Sequence, residues 1–354
     1  MRNWRLCPAA SQSHFATVYT FSNVDPRGLT FANGVFYGVD TQLPCGAVFQ
    51  FQPPTTAGGT WTQTSLYAFV NGNNDGCSSE ATPVVAANGT IYGVTVSGGA
   101  YAGGTAYQVK PPTSPGGSWT ETVVYNFNQQ VGGPPLTGEP SCLILGPKGS
   151  LYVTTEDGGT AGIGSLFRLQ PPHPVAALGP APPSIVSLAR EAGNLPVSLT
   201  HGPSGALYST TEIGGTAAAG AGTVYELLPP TIEGGAWAGS ELYSFQGESD
   251  GSDPNSVTLG PDGSLYGTTF GRTPVGENGD GTVYHLTPPS SPGAPWTKTV
   301  LYDFGARFNC GPDSPLILHD GNLYGATCLS EAASGLSRFC TNSRTAKCRP
   351  APWS

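Results

Sequence analysis

Gly263-Ser264-Leu265-Tyr266-Gly267-Thr268-Thr269 is the stretch from which the chain is read. It is an apolar, aromatic, glycine and hydroxyl run entered from the tight turn Pro261-Asp262-Gly263. Versions of it recur as Phe36-Tyr37-Gly38, Ile91-Tyr92-Gly93, Leu151-Tyr152-Val153, Leu207-Tyr208-Ser209 and Leu323-Tyr324-Gly325. The tyrosines at 37, 92, 152, 208, 266 and 324 are separated by 55, 60, 56, 58 and 58 residues. A period this regular makes the chain one tandem array sharing a continuous core, whatever its length alone would suggest.

Around each copy the same signals follow in order. Asn33-Gly34, Asn88-Gly89, Asp262-Gly263 and Asp320-Gly321 sit just before it, as turn pairs that tolerate the positive φ of tight hairpins. After it comes a Gly-rich loop and then an alternating strand, such as Phe49/Phe51, Tyr107/Val109 or Tyr284/Leu286. Double prolines at 53–54, 111–112, 171–172, 229–230 and 288–289 cannot donate to a ladder and end that strand. A last strand sets Trp and Tyr six residues apart, at 61/67, 119/125, 237/243 and 296/302, with Phe two further on. Even spacing predicts all three rings on one face. The weakest copy, Ile185 to Ala189, carries no aromatic ring. Each unit therefore predicts a four-stranded antiparallel meander. Six in tandem predict an all-β fold, a six-bladed β-propeller of about 58 residues per repeat.

The chain opens on a copy of the fourth strand, Ala16 to Phe21, and its last clear strand is a second one, Leu323 to Thr327, with a third at Gly335 to Phe339. The ring is expected to close by letting the N-terminal strand complete the last blade. The predicted organisation is an extension over 1–15, the propeller over 16–329, and a divergent tail over 330–354 that holds Arg338, Arg344, Lys347 and Arg349.

Composition narrows the function. With 51 glycines, 34 prolines and only 10% charged residues in 354, solubility rests on Thr, Ser, Asn and Gly. The net charge is −9 and no basic cluster lies inside the repeats, which argues against nucleic acid and anionic membranes as partners. No apolar run approaches the ~20 residues of a membrane span. A monomer is expected. Eight cysteines without a C-x-x-C suggest an oxidising compartment. Met1 to His14 has Arg2 and Arg5 but no apolar stretch, so it does not read as a signal peptide. The expectation that reconciles the two is a start lying inside a longer precursor.

The combination L-Y-G-T-T, G-T-V-Y, P-P, G-G-x-W-T and L-Y-x-F followed by D-G resembles the GloVer tandem repeat across residues 16 to 327. That resemblance implies a propeller-like bacterial protein, secreted or held at the cell surface, whose biochemical role is not established.

Candidate chemistry lies in carboxylates ahead of the first strand of each unit: Asp25, Glu80, Glu139, Asp253 and Asp313, with Asn194 in the fourth. In a propeller the first strand lines the axis, so its entry loops converge on the channel mouth. Five carboxylates there would form a negative ring suited to calcium, a cationic ligand or a polyhydroxyl ligand. The plainer reading is that Asp and Asn before Pro are turn formers.

Glu156 and Glu212, after the Thr-Thr of strand two, invite comparison with glycosidase carboxylate pairs, but surface carboxylates explain them as well. Gly276 to Gly281 resembles a calcium loop faintly and lacks the ligand alternation. His201 and His319 occupy a turn at the far end of strand one from the carboxylates, a poor place for a lyase base. No H-E-x-x-H or G-x-S-x-G is present. No catalytic residue is assigned.

The function predicted is a non-catalytic scaffold or binding module, and the alternative is a propeller lyase or glycosidase working at the mouth. Cys45 with Cys77, and Cys310 with Cys328, fall in loops opening on one face and are disulfide candidates. Cys142, inside a strand, is expected to be a buried thiol.

Overall fold

The computed structural model describes residues 15–21, 26–41, 44–56, 59–70, 75–128, 139–156, 158, 162–169, 184–187, 193–232, 236–271, 281–291, 293–304, 312, 315–319, 321–327 and 334–340. The architecture is an all-β propeller. Five blades are each complete within one repeat. The first contains Pro26–Ala32, Val35–Asp40, Ala47–Gln52 and Thr62–Ala68, paired in that order. The second pairs Val84–Val85, Ile91–Thr95, Ala102–Lys110 and Thr120–Asn128. The third pairs Pro140–Leu145, Leu151–Thr155, Ser165–Leu169 and Ser184–Ser187. The fourth pairs Asn194–His201, Leu207–Ile213, Thr223–Leu228 and Ala238–Ser244. The fifth pairs Ser252–Leu259, Leu265–Gly271, Thr282–Thr287 and Thr297–Asp303.

A further four-stranded sheet is composite, where the repeat pattern predicts a sixth blade like the others. It joins Ile317–His319, Asn322–Thr327 and Ser334–Cys340 to the N-terminal Phe15–Phe21, which is its outermost strand. Residues from the predicted tail thus supply a strand here. Neighbouring blades meet through apolar seams. One such seam sets Tyr37, Val39 and Val48 against Ile91, Tyr107 and Val109. The last meeting, between the composite sheet and the first blade, brings Tyr324 to within 6.4 Å of Phe36, ring centre to ring centre.

The repeated residues have identifiable work inside a blade. In Leu-Tyr-Gly the glycine faces the aromatic of strand three: Gly93 is paired with Tyr107 and Gly267 with Tyr284. A Cβ on Gly93 would lie 2.2 Å from the Tyr107 hydroxyl, so only glycine leaves the ring its place. The terminal threonine of strand two meets the threonine of the following Gly-Thr. The hydroxyls of Thr95 and Thr105 are 3.0 Å apart, those of Thr211 and Thr223 are 2.8 Å apart, and those of Thr269 and Thr282 are also 2.8 Å apart. Each pair satisfies two buried polar groups at once.

The expectation that Trp, Tyr and Phe of the fourth strand share a face is corrected by a bulge. Tyr67 pairs with Val48 and Ser65 with Phe49, so Leu66 is an extra residue that reverses the alternation. Val124, Leu242 and Leu301 are the extra residues at the same place in the second, fourth and fifth blades. The tryptophan therefore faces its own blade's third strand, as where Trp61 stacks on Phe51 at 4.6 Å. The phenylalanine instead meets the third strand of the next blade, as Phe69 meets Tyr107 at 5.0 Å and Phe245 meets Tyr284 at 5.2 Å.

Candidate functional site

The carboxylates predicted to ring the mouth divide into three groups. Asp25 and Asp313 lie outside the described residues. Glu80 is exposed, and Glu139 and Asp253 are half-buried. Proline geometry also moves Asp313 off the pattern. Pro196 and Pro254 each pack on a glycine of the preceding blade, where a Cβ would lie 2.6 Å from Pro196 Cδ at Gly164 and 2.5 Å from Pro254 Cδ at Gly222. Pro312 stands in the same relation to Gly281, at 3.0 Å, so Asp313 follows the seam proline instead of preceding it.

The register unites the two sets of acids that the sequence left separate. Asn194 pairs with Ile213 and Pro196 with Thr211, so the ladder sets Leu195 opposite Glu212. Ser252 pairs with Gly271 and Pro254 with Thr269, which sets Asp253 opposite Phe270. The Glu156 amide donates to the Glu139 carbonyl at 2.9 Å, continuing the pattern in the third blade. The residues before the seam prolines and those at the end of strand two are thus one layer at one end of the blades.

Within that layer Glu212 and Asp253 come from adjacent blades, and the Asp253 charge is felt at Glu212. Burial, and then the Asp253 charge, raise the Glu212 pKa above the ordinary carboxyl value. Burial raises that of Asp253. Asp253 takes the left-handed region, with φ 53°, as does Leu195 at 59°, and its amide donates to the Ala221 carbonyl at 3.1 Å. The seam fixes its backbone. Phe270, across from Asp253, is 42% exposed, and Ile213, beside Glu212, is 39% exposed. The layer therefore presents apolar surface next to half-buried acid. No sequence motif marks the apolar part, because Phe270 and Ile213 vary between repeats.

The remaining candidates resolve locally. Cys45 and Cys77 form a disulfide with Cα atoms 4.5 Å apart, and Cys310 and Cys328 lie outside the described residues. Cys142 is a buried free thiol whose pKa burial pushes up to about 12. His201 lies near Tyr152, with ring centres 6.2 Å apart, and its Nε2 meets the Leu145 carbonyl of the preceding blade. His285 is stacked on Tyr266 at 4.5 Å, and burial lowers its pKa. Gly276 to Asp280 and His173 lie outside the described residues. Among the described residues no three His, Cys, Asp or Glu side chains cluster as a metal site, and no helix is long and apolar enough to cross a membrane.

Sequence reasoning missed the chemistry of the Asp-Gly after the fourth strand. Asp75 accepts the Val70 amide at 2.8 Å, its own neighbour Gly76 at 2.8 Å and the Tyr67 hydroxyl at 3.2 Å. Asp250 accepts the Tyr243 hydroxyl and the Gln246 amide, both at 2.8 Å. The aspartate thus ties the Tyr-x-Phe strand to the loop leaving the blade.

Antiparallel four-stranded blades joined through aromatic seams define a β-propeller repeat protein. The chain belongs to the Gloeobacter/Verrucomicrobia repeat family, whose pattern matches residues 139–336. No curated protein matches the sequence. Among solved structures, a putative oxidoreductase (glucose dehydrogenase) from Thermus thermophilus is similar at 17% identity and TM-score 0.57, covering 92% of this chain and 99% of its own. The PQQ-bound aldose sugar dehydrogenase of Streptomyces coelicolor is similar at 12% identity and TM-score 0.57, covering 93% and 98%. A protein of unknown function from Dyadobacter fermentans is similar at 13% identity and TM-score 0.56, covering 93% and 99%. At these identities the likeness is one of fold, which many activities share.

Proposed function

We propose that this protein is a non-catalytic binding module, exported to the cell surface or the medium, that takes a cationic ligand at the axial mouth. In this reading the composite sheet acts as a sixth blade and closes a six-bladed ring around that mouth. The observation that carries the proposal is the Glu212–Asp253 pair. Two carboxyls from adjacent blades are half-buried together; burial raises the pKa of both, and the Asp253 charge adds to the rise at Glu212. A cation relieves both costs at once. Phe270, exposed across the ladder from Asp253, supplies a face for an apolar or π-bound flank. An organic ammonium or guanidinium uses both features, and calcium uses the acids alone. The disulfide supports an oxidising compartment, and a negatively charged chain is a poor partner for nucleic acid.

A second reading rests on the same pair. A carboxyl whose pKa is raised beside a second acid is the kind of arrangement a lyase or glycosidase would use as general acid and base. One experiment separates the two. The melting temperature is measured with calcium chloride, with benzylammonium and with neutral benzyl alcohol, and turnover of a panel of nitrophenyl glycosides and polyuronides is followed alongside. The binding reading expects stabilisation by a cation, worth about 2.7 kcal/mol at a hundredfold excess over Kd, which disappears in Glu212→Gln plus Asp253→Asn. No cation effect in the parent would sink it. Turnover abolished by Glu212→Gln would replace it with the enzyme.

A further inference from the structure

The joint between the fourth and fifth blades contains an ion pair. Asp250, leaving the outer strand of the fourth blade, receives Lys298 Nζ at 2.8 Å from the outer strand of the fifth. Lys298 also donates to the Asp250 carbonyl and lies over the Phe245 ring, 5.0 Å from its centre. Lys298 is the second residue after Trp296. The cation therefore closes the junction where one blade's Tyr-x-Phe strand meets the next blade's Trp strand.

The first and second blades make this joint with a different residue. Asp75 stands in the place of Asp250, gripped by Val70, Gly76 and Tyr67. The second residue after Trp119 is Glu121. Where a lysine neutralises Asp250, a second carboxyl is set against Asp75. The groups acting on or facing it are Asp75 from the loop, the Tyr67 hydroxyl from the first blade's outer strand and Tyr107 from the second blade's third strand. None of them is a cation. Glu121 Oε1 is buried and has no hydrogen-bond partner among the described residues. Asp75 already accepts three donors, so the group short of a partner is the glutamate.

We propose that this joint is a proton-dependent clasp: a proton on Glu121, by removing the second charge beside Asp75, does between the first two blades what the Lys298 ammonium does between the fourth and fifth. The seam is then tight in mildly acid surroundings and loosens as the medium becomes alkaline. Burial first, and then the Asp75 charge, raise the Glu121 pKa from 4.5 to about 8. Because the folded value lies above the ordinary one, the folded chain holds a proton that the unfolded chain releases. Stability is whole below 4.5 and declines as pH rises through about 8. The Tyr67 hydroxyl, pushed up to about 12 by burial and both acids, remains protonated throughout and cannot neutralise them.

The test compares the full chain with Glu121→Gln and Glu121→Lys between about pH 5 and pH 9. It records melting temperature and amide exchange at Val70 and Gly76, whose hydrogens end on Asp75. The parent should lose about 3 °C or more relative to Glu121→Gln across that range, with faster exchange at both amides. Glu121→Lys should melt at pH 9 at least as high as the parent does at pH 5. Parallel profiles for parent and Glu121→Gln would overturn the proposal. So would restoration of the parent at pH 9 by potassium or calcium that leaves Glu121→Gln unmoved, since a metal ion would then hold the clasp. If Glu121→Lys does not fold, the comparison with Glu121→Gln still decides.

Discussion

Gly93 shows how a single missing side chain organises a blade. It lies across the ladder from Tyr107, a ring fully buried in the seam with the preceding blade. The Tyr107 hydroxyl reaches Ser79 Oγ at 2.9 Å, so the ring cannot swing aside without losing that bond. A methyl at Gly93 would meet the ring at 2.2 to 2.9 Å. Gly93→Ala should therefore cost about 1–3 kcal/mol by overpacking, read as a lower midpoint in chemical denaturation. Gly239→Ala is the control. Its nearest side-chain atom would be Leu227 Cδ2 at 3.3 Å, and it lies in an outer strand. A loss at Gly239 equal to that at Gly93 would remove the ring-space explanation of the Leu-Tyr-Gly motif. The third blade places Val153 opposite Phe167 at the same ladder position.

Strands and their order were legible because turn pairs, double prolines and alternation are local signals that each blade repeats. Face and partnership were not. The bulge at Leu66 and its counterparts adds one residue without any Gly or Pro to announce it, so even spacing placed tryptophan and tyrosine on one face and the ladder separates them. The acid layer was half legible. Asp253 and Glu212 each stand out in the sequence, but their meeting depends on a seam between blades, which no single repeat contains. Loop placement did join Cys45 to Cys77. This disulfide closes a segment with sequence separation 32 that runs through the outer strand of the first blade. By loop-closure entropy it contributes about 3–4 kcal/mol. The Ser78 amide donates to the Cys45 carbonyl at 3.0 Å, so the crosslink also pins the start of the second blade. Cys45→Ser plus Cys77→Ser should lower the melting temperature by an amount matching the effect of reductant on the parent. A parent indifferent to reductant would show that the crosslink contributes nothing to the folded state.

At the scale of the whole molecule the weakest point is the composite sheet, because its strands come from opposite ends of the chain. Phe15–Phe21 pairs with Ser334–Cys340, which pairs with Asn322–Thr327. The innermost strand, Ile317–His319, is short, and Ile317 packs against the first blade's core of Leu29, Phe36 and Phe51. Adding the terminal strand covers the edge of Ser334–Cys340 that the C-terminal strands alone would leave open. It also places a contact of very long sequence separation in the ring, which is costly to form and so is expected late in folding. Deleting residues 1–21 should therefore leave the five complete blades paired while exposing the edge of Ser334–Cys340. The expected result is a broader melting transition at lower temperature and concentration-dependent association, measured by calorimetry and light scattering. Adding a synthetic peptide spanning residues 12–23 should restore the sharper transition by occupying the same edge. A truncated chain that melts like the parent and stays monodisperse would mean that the ring holds without its N-terminal strand. The seam of Phe36 with Tyr324 would then be the contact that closes the molecule.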